Sequence, residues 1–486
     1  MRRTKIVATI GPASEDPKIF EQLIKAGMNV MRLNFSHGTH EEHLRKVKAL
    51  RMLNEKLGTS VAFMLDTKGP EIRTGLYADG KKHQLTKGQK ITLTVRDVPC
   101  DDNTISLSYK GLPGDVFVGG HILVQDGLLD FLIDEINGED IKCTVQNDGL
   151  LGDQKNVNLP GTKINLAAMT EKDKSDLKFA VDNGFDFISA SFIRKAQDVI
   201  DIKNYLKSLG GENIKIISKI ESQEGIDNFD DILKVTDGIM VARGDLGVGV
   251  DMALVPIYQK MMIKKTIAAG KPVITATQML ESMQENPRPT RAEVSDVANA
   301  VYDETSCVML SGESAQGDYP IESVTAMEKI ARTTETDVNY WKRFKERNIE
   351  RLTNLGKDSN SEAELKKDAN FAVCCSALFS NAAAIVVVTE HGETPKIISS
   401  FRPACPIFVI TANEQTHRQM SMEFGVKSVY IANVHDFEKI LNAGIEELKK
   451  QNLLKSGDTV VLSGKYQNDD KSYLKSEATG AIITVK

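Results

Sequence analysis

Eight short apolar runs rich in β-branched residues alternate with amphipathic stretches along much of this 486-residue chain. Each run is long enough for one buried strand, and most are followed by a polar turn and a helical pattern. Eight consecutive β/α units are the signature of a closed parallel barrel, so the sequence predicts an α/β chain built on a (β/α)8 TIM barrel. The runs occupy residues 5–10, 29–35, 61–65, 186–191, 215–220, 238–242, 272–276 and 307–310.

The alternation breaks twice, and the two breaks divide the chain. Between roughly residues 70 and 168 the helical period disappears and short alternating runs are cut by Gly and Pro turns, which predicts an all-β domain inserted after the third barrel strand. After about residue 340 new apolar runs at 384–389, 406–411, 428–431 and 459–463 indicate a separate α/β domain with a largely parallel sheet. We expect a catalytic barrel at 1–69 and 169–338, an inserted β-barrel lid domain at 70–168 and a C-terminal regulatory-type domain at 339–486.

The composition is that of an ordinary globular protein with room for several cores. Hydrophobic residues make up 41% of the chain, and the net charge of −6 provides no basic field, so we do not expect nucleic acid as a partner. The start lacks the apolar stretch of a signal peptide and no segment approaches the length of a membrane span, so we expect a cytoplasmic protein without a membrane partner. The six scattered cysteines have neither disulfide nor zinc-ligand spacing.

Lys219 and Glu221 lie two residues apart at the end of the fifth apolar run. Alternate residues of a strand share a face, so their ammonium and carboxylate should project side by side. An ordinary ion pair at a strand end would explain this pair if it stood alone. Other predicted strands also end in ionisable or hydroxyl side chains, and the carboxyl ends of barrel strands meet at one mouth. These ends are residues 32–37, 66–70, 243–245, 275–278 and 311–313.

The side chains at this mouth indicate which ligands it binds. Glu221 and Asp245 are hard oxygen ligands from adjacent strands, suited to a Mg²⁺ ion that shares its other positions with substrate oxygens. Arg32 and Lys219 supply the positive charge that a phosphate needs. Neutral and singly charged oxygens, which suit a monovalent cation, come from Asn34, Ser36, Asp66 and the backbone of Thr67.

These groups favour phosphoryl or enolate chemistry over redox or acyl transfer. A Gly-x-x-x-x-Gly-Lys-Ser/Thr loop is absent from the sequence, so a nucleotide would not be held by a P-loop. The Gly247-Val248-Gly249 stretch lacks the third glycine and the acidic partner of a dinucleotide fingerprint.

At these positions the chain resembles the pyruvate kinase family, through a series of motifs. The motifs are TKIVATIGP at 4–12, RLNFSHG at 32–38, DTKGPEIR at 66–73, ISKIE at 217–221, MVARGDLG at 240–247, ATQMLESM at 276–283 and LSGES at 310–314. The resemblance covers the barrel densely, the inserted domain loosely, with NLPG at 158–161 as its clearest landmark, and the C-terminal domain only in layout. It implies an enzyme of glycolysis that transfers the phosphoryl group of phosphoenolpyruvate to ADP, giving ATP and an enolate that is protonated to pyruvate.

The resemblance also implies the cofactors and which residues hold them. Mg²⁺ or Mn²⁺ would be held by Glu221 and Asp245. K⁺ would be held by Asn34, Ser36, Asp66 and Thr67. In this family an acidic residue at the place of Glu71 goes with dependence on a monovalent cation, whereas a lysine there can substitute for the ion. We therefore expect activation by potassium.

The roles of individual side chains follow from the same resemblance. It implies catalytic roles for Lys219, Arg32 and Thr277, substrate contacts for these three and for Arg243, Gly244 and Asp245, and nucleotide contacts for Asn34, His37, Arg73 and Lys155. Lys219 would meet the phosphoryl group midway between donor and acceptor, and Arg32 would balance the charge of the nucleotide and the transferred phosphate. Thr277 would steer a water chain toward the enolate, because a hydroxyl is by itself a poor acid.

Some implied contacts have a plain alternative. The backbone at residues 243 and 244 would receive the carboxylate of pyruvate. Arg73 and Lys155 would close over the nucleotide from the lid and exclude water, but an exposed lid residue or an ordinary loop residue would look the same in the sequence. The ultimate proton donor to the enolate is left open.

The C-terminal domain departs from the family where many members bind a sugar phosphate. The corresponding loop, residues 389–395, carries Glu390 and Glu393, and these like charges oppose a phosphate, so we do not expect activation by fructose bisphosphate. His391, Lys465 and Lys471 could serve a different small-molecule effector, with an ordinary solvated loop as an equal alternative.

Assembly and the competing functions remain open from sequence. Family members are commonly homotetramers, and residues 291–300 are a candidate interface helix, although a helix buried within one barrel would look the same. The alternative function is a Mg²⁺-dependent lyase or aldolase acting on pyruvate or phosphoenolpyruvate, which would not need Lys219, the monovalent-cation residues or the lid. A catalytically silent effector-binding protein would have lost some of these residues, and none is lost.

Overall fold

The computed structural model describes residues 1–125, 127–349, 361–434, 436–464 and 479–486. Its centre is a closed parallel barrel in the order β1-β17-β16-β15-β14-β13-β3-β2. The barrel strands are β1 Lys5–Thr9, β2 Val30–Asn34, β3 Ala62–Asp66, β13 Phe187–Ala190, β14 Lys215–Ile220, β15 Gly238–Ala242, β16 Val273–Ala276 and β17 Cys307–Leu310. The eight apolar runs are therefore the eight strands, and the predicted fold class is confirmed.

Helices surround the barrel and follow its strands. They are α1 Pro17–Ala26, α2 His40–Leu57, α4 Glu171–Asp182, α5 Ala196–Ser208, α6 Gln223–Asp227, α7 Phe229–Val235, α8 Arg243–Gly249, α9 Val255–Ala268, α10 Arg291–Tyr302, α11 Gly312–Ala315 and α12 Pro320–Asp337. Short 3-10 helices lie at Met252–Leu254 and Glu281–Gln284. The barrel strands are apolar on both faces because side chains fill the interior and helices cover the outside.

Local signals place the two helices that border the site. Thr39 begins α2 with a capping box, in which its hydroxyl accepts from the Glu42 backbone and the Glu42 carboxylate accepts from the Thr39 backbone. Thr170 and Asp173 form the same arrangement at the start of α4. Both helices therefore begin at sharply defined residues beside the ends of β2 and β3.

The inserted domain, called the lid below, has its own hydrophobic core. Its strands are β4 Ile72–Arg73, β5 His83–Leu85, β6 Lys90–Thr94, β7 Thr104–Ser106, β8 His121–Val124, β9 Leu129–Asn137, β10 Asp140–Val145, β11 Gly149–Leu151 and β12 Asn156–Asn158, with the helix α3 at Leu112–Asp115. One sheet has the order β4-β12-β8-β9-β10-β6-β7, and β11 pairs with β5. The chain enters the lid after β3 and returns to the barrel before α4.

The C-terminal domain is a five-stranded sheet with helices, in the order β20-β19-β18-β21-β22. Its elements are α13 Tyr340–Arg347, α14 Glu362–Phe379, β18 Ala384–Val388, α15 Glu393–Ser400, β19 Ile407–Thr411, α16 Glu414–Gln419, a 3-10 helix Met420–Met422, β20 Val426–Tyr430, α17 Phe437–Lys450, β21 Thr459–Gly464 and β22 Thr479–Thr484. The sheet is parallel except for β22, which pairs antiparallel with β21.

Two details differ from the sequence reading. The strand β22 was not predicted, and β20 begins two residues before the predicted run at 428–431. Lys465 and Lys471, named as effector candidates, lie outside the described residues. Among the described helices, none combines the length and the apolar character that crossing a bilayer requires. The six cysteines are free thiols.

Candidate active site

Lys219 is held at the mouth of the barrel by oxygen atoms from three strand ends. Its Nζ donates to Ser191 Oγ at 2.8 Å and to Asp66 Oδ1 at 3.2 Å, and it lies 2.9 Å from Glu221 Oε1. Burial works against the charged ammonium, but the carboxylates of Asp66, Glu221 and Asp245 outweigh it and raise the pKa of Lys219. The Lys219 side chain is therefore a fixed positive charge, and its neighbour Glu221 is an ion-pair partner in this structure.

Asp66 links Lys219 to the second predicted cation. Arg32 Nε donates to Asp66 Oδ2 at 2.7 Å, and Arg32 Nη1 donates to Thr9 Oγ1 at 2.8 Å. Burial opposes the Asp66 carboxylate, but Arg32 and Lys219 hold the pKa of Asp66 below its usual range. The structure thus brings Arg32 and Lys219 to opposite sides of one buried carboxylate.

The two predicted divalent-metal ligands are under-satisfied by the protein. Glu221 is buried, and its Oε1 accepts no well-formed hydrogen bond, although Oε2 accepts from the Phe192 backbone at 2.5 Å. Burial and the nearby carboxylate of Asp245 raise the pKa of Glu221 to about 7, against the opposing effect of Lys219. Two close carboxylates that destabilise each other fit a divalent cation, which would remove their repulsion.

The residues that could hold such an ion are few. Among the described residues, no cluster of three or more His, Cys, Asp or Glu side chains is arranged to hold a metal. Two carboxylates are nevertheless what Mg²⁺ uses when substrate oxygens and water complete its octahedron. The donor set therefore fits a metal that is shared with the substrate.

The predicted monovalent-cation residues lie on adjacent strand ends. Asn34 of β2 is in register with Asp66 of β3, so these residues are lateral neighbours. Asn34 Oδ1 accepts from the Ser36 backbone at 3.0 Å, and the Thr67 carbonyl accepts from Ser191 Oγ at 2.6 Å. The structure thus gathers Asn34, Ser36, Asp66 and Thr67 at one side of the mouth. This set of neutral and singly charged oxygens suits K⁺.

Thr277 lies in a strained turn that Arg243 holds. Thr277 and Gln278 have φ angles of 66° and 55°, in the left-handed region that costs a non-glycine residue about 1 to 3 kcal/mol. Arg243 Nη2 donates to the Thr277 carbonyl at 2.6 Å, and its Nε donates to the Ala276 carbonyl at 3.1 Å. The Arg243 side chain therefore supports the turn at Thr277. The Arg243 backbone begins α8.

The hydroxyl of Thr277 is already hydrogen-bonded in this structure. It donates to the Ala276 carbonyl at 2.7 Å and accepts from the Gly244 backbone at 2.8 Å. The Gly244 amide, predicted to meet a substrate carboxylate, is thus taken by Thr277. Arg243 itself is anchored by Asp296 of α10, whose Oδ1 lies 2.7 Å from Nη1. The same segment, 291–300, is the candidate interface helix, and its Val297 and Ala300 pack inside this chain.

The predicted nucleotide residues come from both domains. Arg73 lies on β4, Lys155 immediately precedes the paired strand β12, and Arg73 pairs with Glu71 at 2.6 Å. His37 is exposed on the barrel side, where its carbonyl accepts from His43 Nε2 at 2.9 Å. Within the described ranges, no hydrogen bond or ion pair joins His37 to the lid residues. The geometry places these groups on both sides of the mouth without bringing them together.

A cavity of about 170 Å³ lies where the lid meets the mouth. Its lining includes Glu71 from the lid side and Arg194, Glu221 and Asp245 from the barrel. The cavity is partly open, and five carboxylates and two basic side chains line it, so this part of the mouth suits a bound cation better than an anion alone.

Several residues of the site were not assigned from the sequence. They are Thr9, Ser191, Arg194 and Asp296. Ser191 ends the fourth apolar run, so a hydroxyl at a strand's carboxyl end was an available signal for it. Asp296 and Arg194 gave no local signal, because their partners lie far away along the chain.

Comparisons with known proteins identify the family to which the chain belongs. A family model described as pyruvate kinase, barrel domain, matches residues 1–324, and one described as pyruvate kinase, alpha/beta domain, matches residues 370–472. A pyruvate kinase of Clostridium acetobutylicum is 46% identical over 464 residues, which are 95% of this chain and 96% of that protein. A pyruvate kinase of Clostridium perfringens is 44% identical over 468 residues, covering 96% of this chain and 97% of the relative.

A solved structure shares the whole architecture. The crystal structure of a pyruvate kinase from Cryptosporidium parvum superimposes with a TM-score of 0.91 at 37% sequence identity. The superposition covers 100% of this chain and 96% of the other. The likeness therefore extends over the barrel, the lid and the C-terminal domain together.

Proposed function

The chain belongs to the pyruvate kinase family and is a phosphotransferase that moves the phosphoryl group of phosphoenolpyruvate to ADP, and we propose how its residues divide this work. The observation that supports the division best is the setting of Lys219, whose Nζ lies 2.8 to 3.2 Å from oxygens of Ser191, Asp66 and Glu221. A charge held in this way needs no reorganisation when negative charge builds up on the transferring group. The comparisons do not favour the lyase or aldolase alternative.

Lys219 and Arg32 supply positive charge to the phosphoryl group from two sides of Asp66. In phosphoryl transfer the protein contributes mainly positioning and electrostatic stabilisation, because charge is spread over the equatorial oxygens of the transferring group. The buried Asp66 fixes both cations in place through hydrogen bonds of 2.7 and 3.2 Å. The pair is therefore preorganised before either substrate binds.

The cofactors remain a proposal that rests on the donor groups. We assign Mg²⁺ or Mn²⁺ to Glu221 and Asp245, and K⁺ to Asn34, Ser36, Asp66 and Thr67. Bound Mg²⁺ would offset the negative charge of the enolate and phosphoryl oxygens as a Lewis acid. Glu221 supports this assignment, because its Oε1 is buried without a well-formed hydrogen bond.

Thr277, Gly244 and the lid complete the proposed division of roles. The Thr277 hydroxyl is aimed by its bonds to Ala276 and Gly244 and would release them to steer water toward the enolate carbon. Substrate contacts are assigned to the backbone of Arg243 and Gly244 and to Asp245. Nucleotide contacts are assigned to Asn34, His37, Arg73 and Lys155.

We also propose the assembly and setting of the enzyme. Exposed apolar side chains on the C-terminal domain, Leu365 and Phe379 of α14 and Ile482 of the edge strand β22, support self-association as a homotetramer. The cytoplasm is the expected compartment of a glycolytic enzyme.

The loop 389–395, with Glu390 and His391 exposed, is our candidate binding site for a small-molecule effector other than fructose bisphosphate. The domain limits of 1–69 with 169–338, 70–168 and 339–486 are retained.

A coupled assay for pyruvate tests the central assignment. The wild type should form pyruvate from phosphoenolpyruvate, ADP, Mg²⁺ and K⁺, and Lys219→Met should lower kcat by about two to three powers of ten, equivalent to about 3 to 4 kcal/mol. Lys215→Met is a matched control, because Lys215 begins the same strand at the opposite end of the barrel. No pyruvate from the wild type would refute the kinase, and a Lys219→Met variant with more than about a tenth of wild-type kcat would refute the role of Lys219.

A further inference from the structure

The segment formed by residues 191–194, called the clamp segment below, follows β13 and enters the mouth beside two side chains assigned to catalysis. Ser191 Oγ accepts from Lys219 Nζ at 2.8 Å, and the Phe192 backbone N–H donates to Glu221 Oε2 at 2.5 Å. Phe192 has a φ angle of 56°, in the left-handed region. The position of this short segment therefore bears directly on Lys219 and Glu221.

The clamp segment also contacts the chain where it enters the lid. Gly69 has a φ angle of 72°, and a Cβ at Gly69 would lie only 2.9 Å from Ser191 Cβ and from Phe192 Cδ2. The Gly69 backbone N–H donates to Asp173 Oδ1 at 3.0 Å. The outgoing crossing, residues 69–75, carries the chain from β3 into the lid. It is thus packed against the clamp segment at a point where only glycine fits.

Arg194, the last residue of the clamp segment, binds the returning crossing, residues 160–167, which leads from the lid back to the barrel. Its Nη1 donates to the Ile164 carbonyl at 2.8 Å, and its Nη2 donates to the Leu166 carbonyl at 2.6 Å. Asn165, between those two residues, is held from the lid by Asp115, which accepts from its backbone and its side chain at 2.9 Å each. The returning crossing is therefore held by Arg194 on the barrel side and by Asp115 on the lid side.

Arg194 is itself anchored to the barrel. It is 5% exposed, its backbone N–H donates to Asp198 Oδ2 at 3.0 Å, and its carbonyl accepts from Asn228 Nδ2 at 2.9 Å. The nearest carboxylate to its guanidinium is Asp198, 3.7 Å from Nε. A buried guanidinium that donates to two backbone carbonyls while its Nε has no hydrogen-bond acceptor among the described residues is a costly group to retain for packing alone.

We propose that Arg194 is a positioning residue for phosphoryl transfer. It ties the returning crossing of the lid to the clamp segment, and the clamp segment sets Lys219 through Ser191 and Glu221 through Phe192. A lid that swings away from the mouth therefore displaces the same segment that aligns the reacting groups. This inference rests on the proposed division of catalytic roles, because it assumes that Lys219 and Glu221 act on the substrate.

The experiment compares Arg194→Met with Arg194→Lys in the full-length protein. Arg96→Met is the control, since Arg96 is a lid arginine whose exposed side chain pairs with Asp140, and neither residue belongs to a crossing. Hydrogen–deuterium exchange reports the backbone of residues 69–75 and 160–167 in the absence of substrate. Steady-state assays report kcat and the KM values for ADP and phosphoenolpyruvate.

For Arg194→Met we expect exchange in the crossings to rise about tenfold or more and kcat to fall about 10- to 100-fold, because small displacements of reacting groups are costly. Arg194→Lys should show a smaller change in both measurements, since lysine lacks the fork that spans two carbonyls. Arg96→Met should match the wild type in both. If Arg194→Met does not fold by circular dichroism, the same two readouts on Arg194→Lys decide.

Two results would overturn the inference. One is faster exchange in the crossings with kcat and both KM values unchanged, which would make Arg194 a structural tie only. The other is a loss of kcat without any change in exchange. Failure of the proposed function would look different, because the wild type itself would then form no pyruvate while the exchange comparison would still report whether Arg194 holds the crossing.

Discussion

The two ends of the barrel bury carboxylates for different purposes. At the base, against the C-terminal domain, both oxygens of Asp186 lie 3.1 Å from Arg418 Nε, and Oδ2 also accepts from the Phe63 backbone at 2.9 Å. At the mouth, Glu221 Oε1 accepts no well-formed hydrogen bond, although it lies 2.9 Å from Lys219 Nζ. Burial raises the pKa of both Asp186, to about 6, and Glu221, to about 7. Carboxylates that the protein satisfies join domains, whereas those it leaves open are available to a ligand.

The largest expected effect is on activity and comes from the mouth. Glu221→Gln should lower kcat by about a thousandfold, because a metal ligand is lost along with several kcal/mol of charge stabilisation. The same change should leave the melting temperature unchanged or raise it, since it removes a buried charge that Asp245 repels. Binding of Mn²⁺ by electron paramagnetic resonance should weaken in parallel. A clear drop in thermal stability would show that Glu221 is a structural carboxylate like Asp186.

The opposite pattern is expected at the base. Asp186→Asn should lower the free energy of unfolding by about 1 to 3 kcal/mol, because it weakens both contacts with Arg418, which then keeps Glu414 as its charged partner. The kcat of the folded enzyme should stay within about twofold of wild type. Thermal melting and the pyruvate assay measure the two quantities. A variant with normal stability but impaired kcat would mean that the base, and not only the mouth, sets catalysis.

A smaller effect tests a residue that reaches the mouth indirectly. Asp296→Asn should loosen Arg243 and the strained turn at Thr277, lowering kcat about tenfold with little change in the KM for phosphoenolpyruvate. Asp303→Asn is the matched control, because Asp303 caps the same helix and pairs with the surface residue Lys260. Equal kinetics for the two variants would contradict the support that we assign to Asp296.

The smallest expected effect is a pH dependence of stability. Burial lowers the pKa of His43 to about 4, so the folded chain keeps this imidazole neutral while the unfolded chain takes up its proton near pH 6.5. The contribution is complete above pH 6.5 and is lost progressively as the pH falls toward 4. His43→Phe, which keeps the stacking on Phe35, should show a smaller fall in melting temperature over that range. An identical fall in both proteins would remove His43 as the cause.

Much of the site was predictable because strand ends are local features. The positions of Lys219, Glu221, Asp66 and Asn34 followed from apolar runs and from the rule that barrel strands end at one mouth. The comparisons confirm the fold class, the family and the reaction. The strand β22 was not predicted, because its short run lies at a sheet edge and its pairing with β21 is visible only in the folded sheet.

The sequence by itself determined the eight strands, the inserted and C-terminal domains, and the set of charged groups at the mouth, because hydrophobic period and turn residues act over a few positions. The tertiary structure alone decided which partners those groups take. Ser191 meets Lys219 from 28 residues away, Arg194 meets Ile164 from 30, and Arg243 meets Asp296 from 53. Such contacts depend on strand register and helix placement, which bring distant residues within hydrogen-bonding distance without leaving a pattern in the neighbouring sequence.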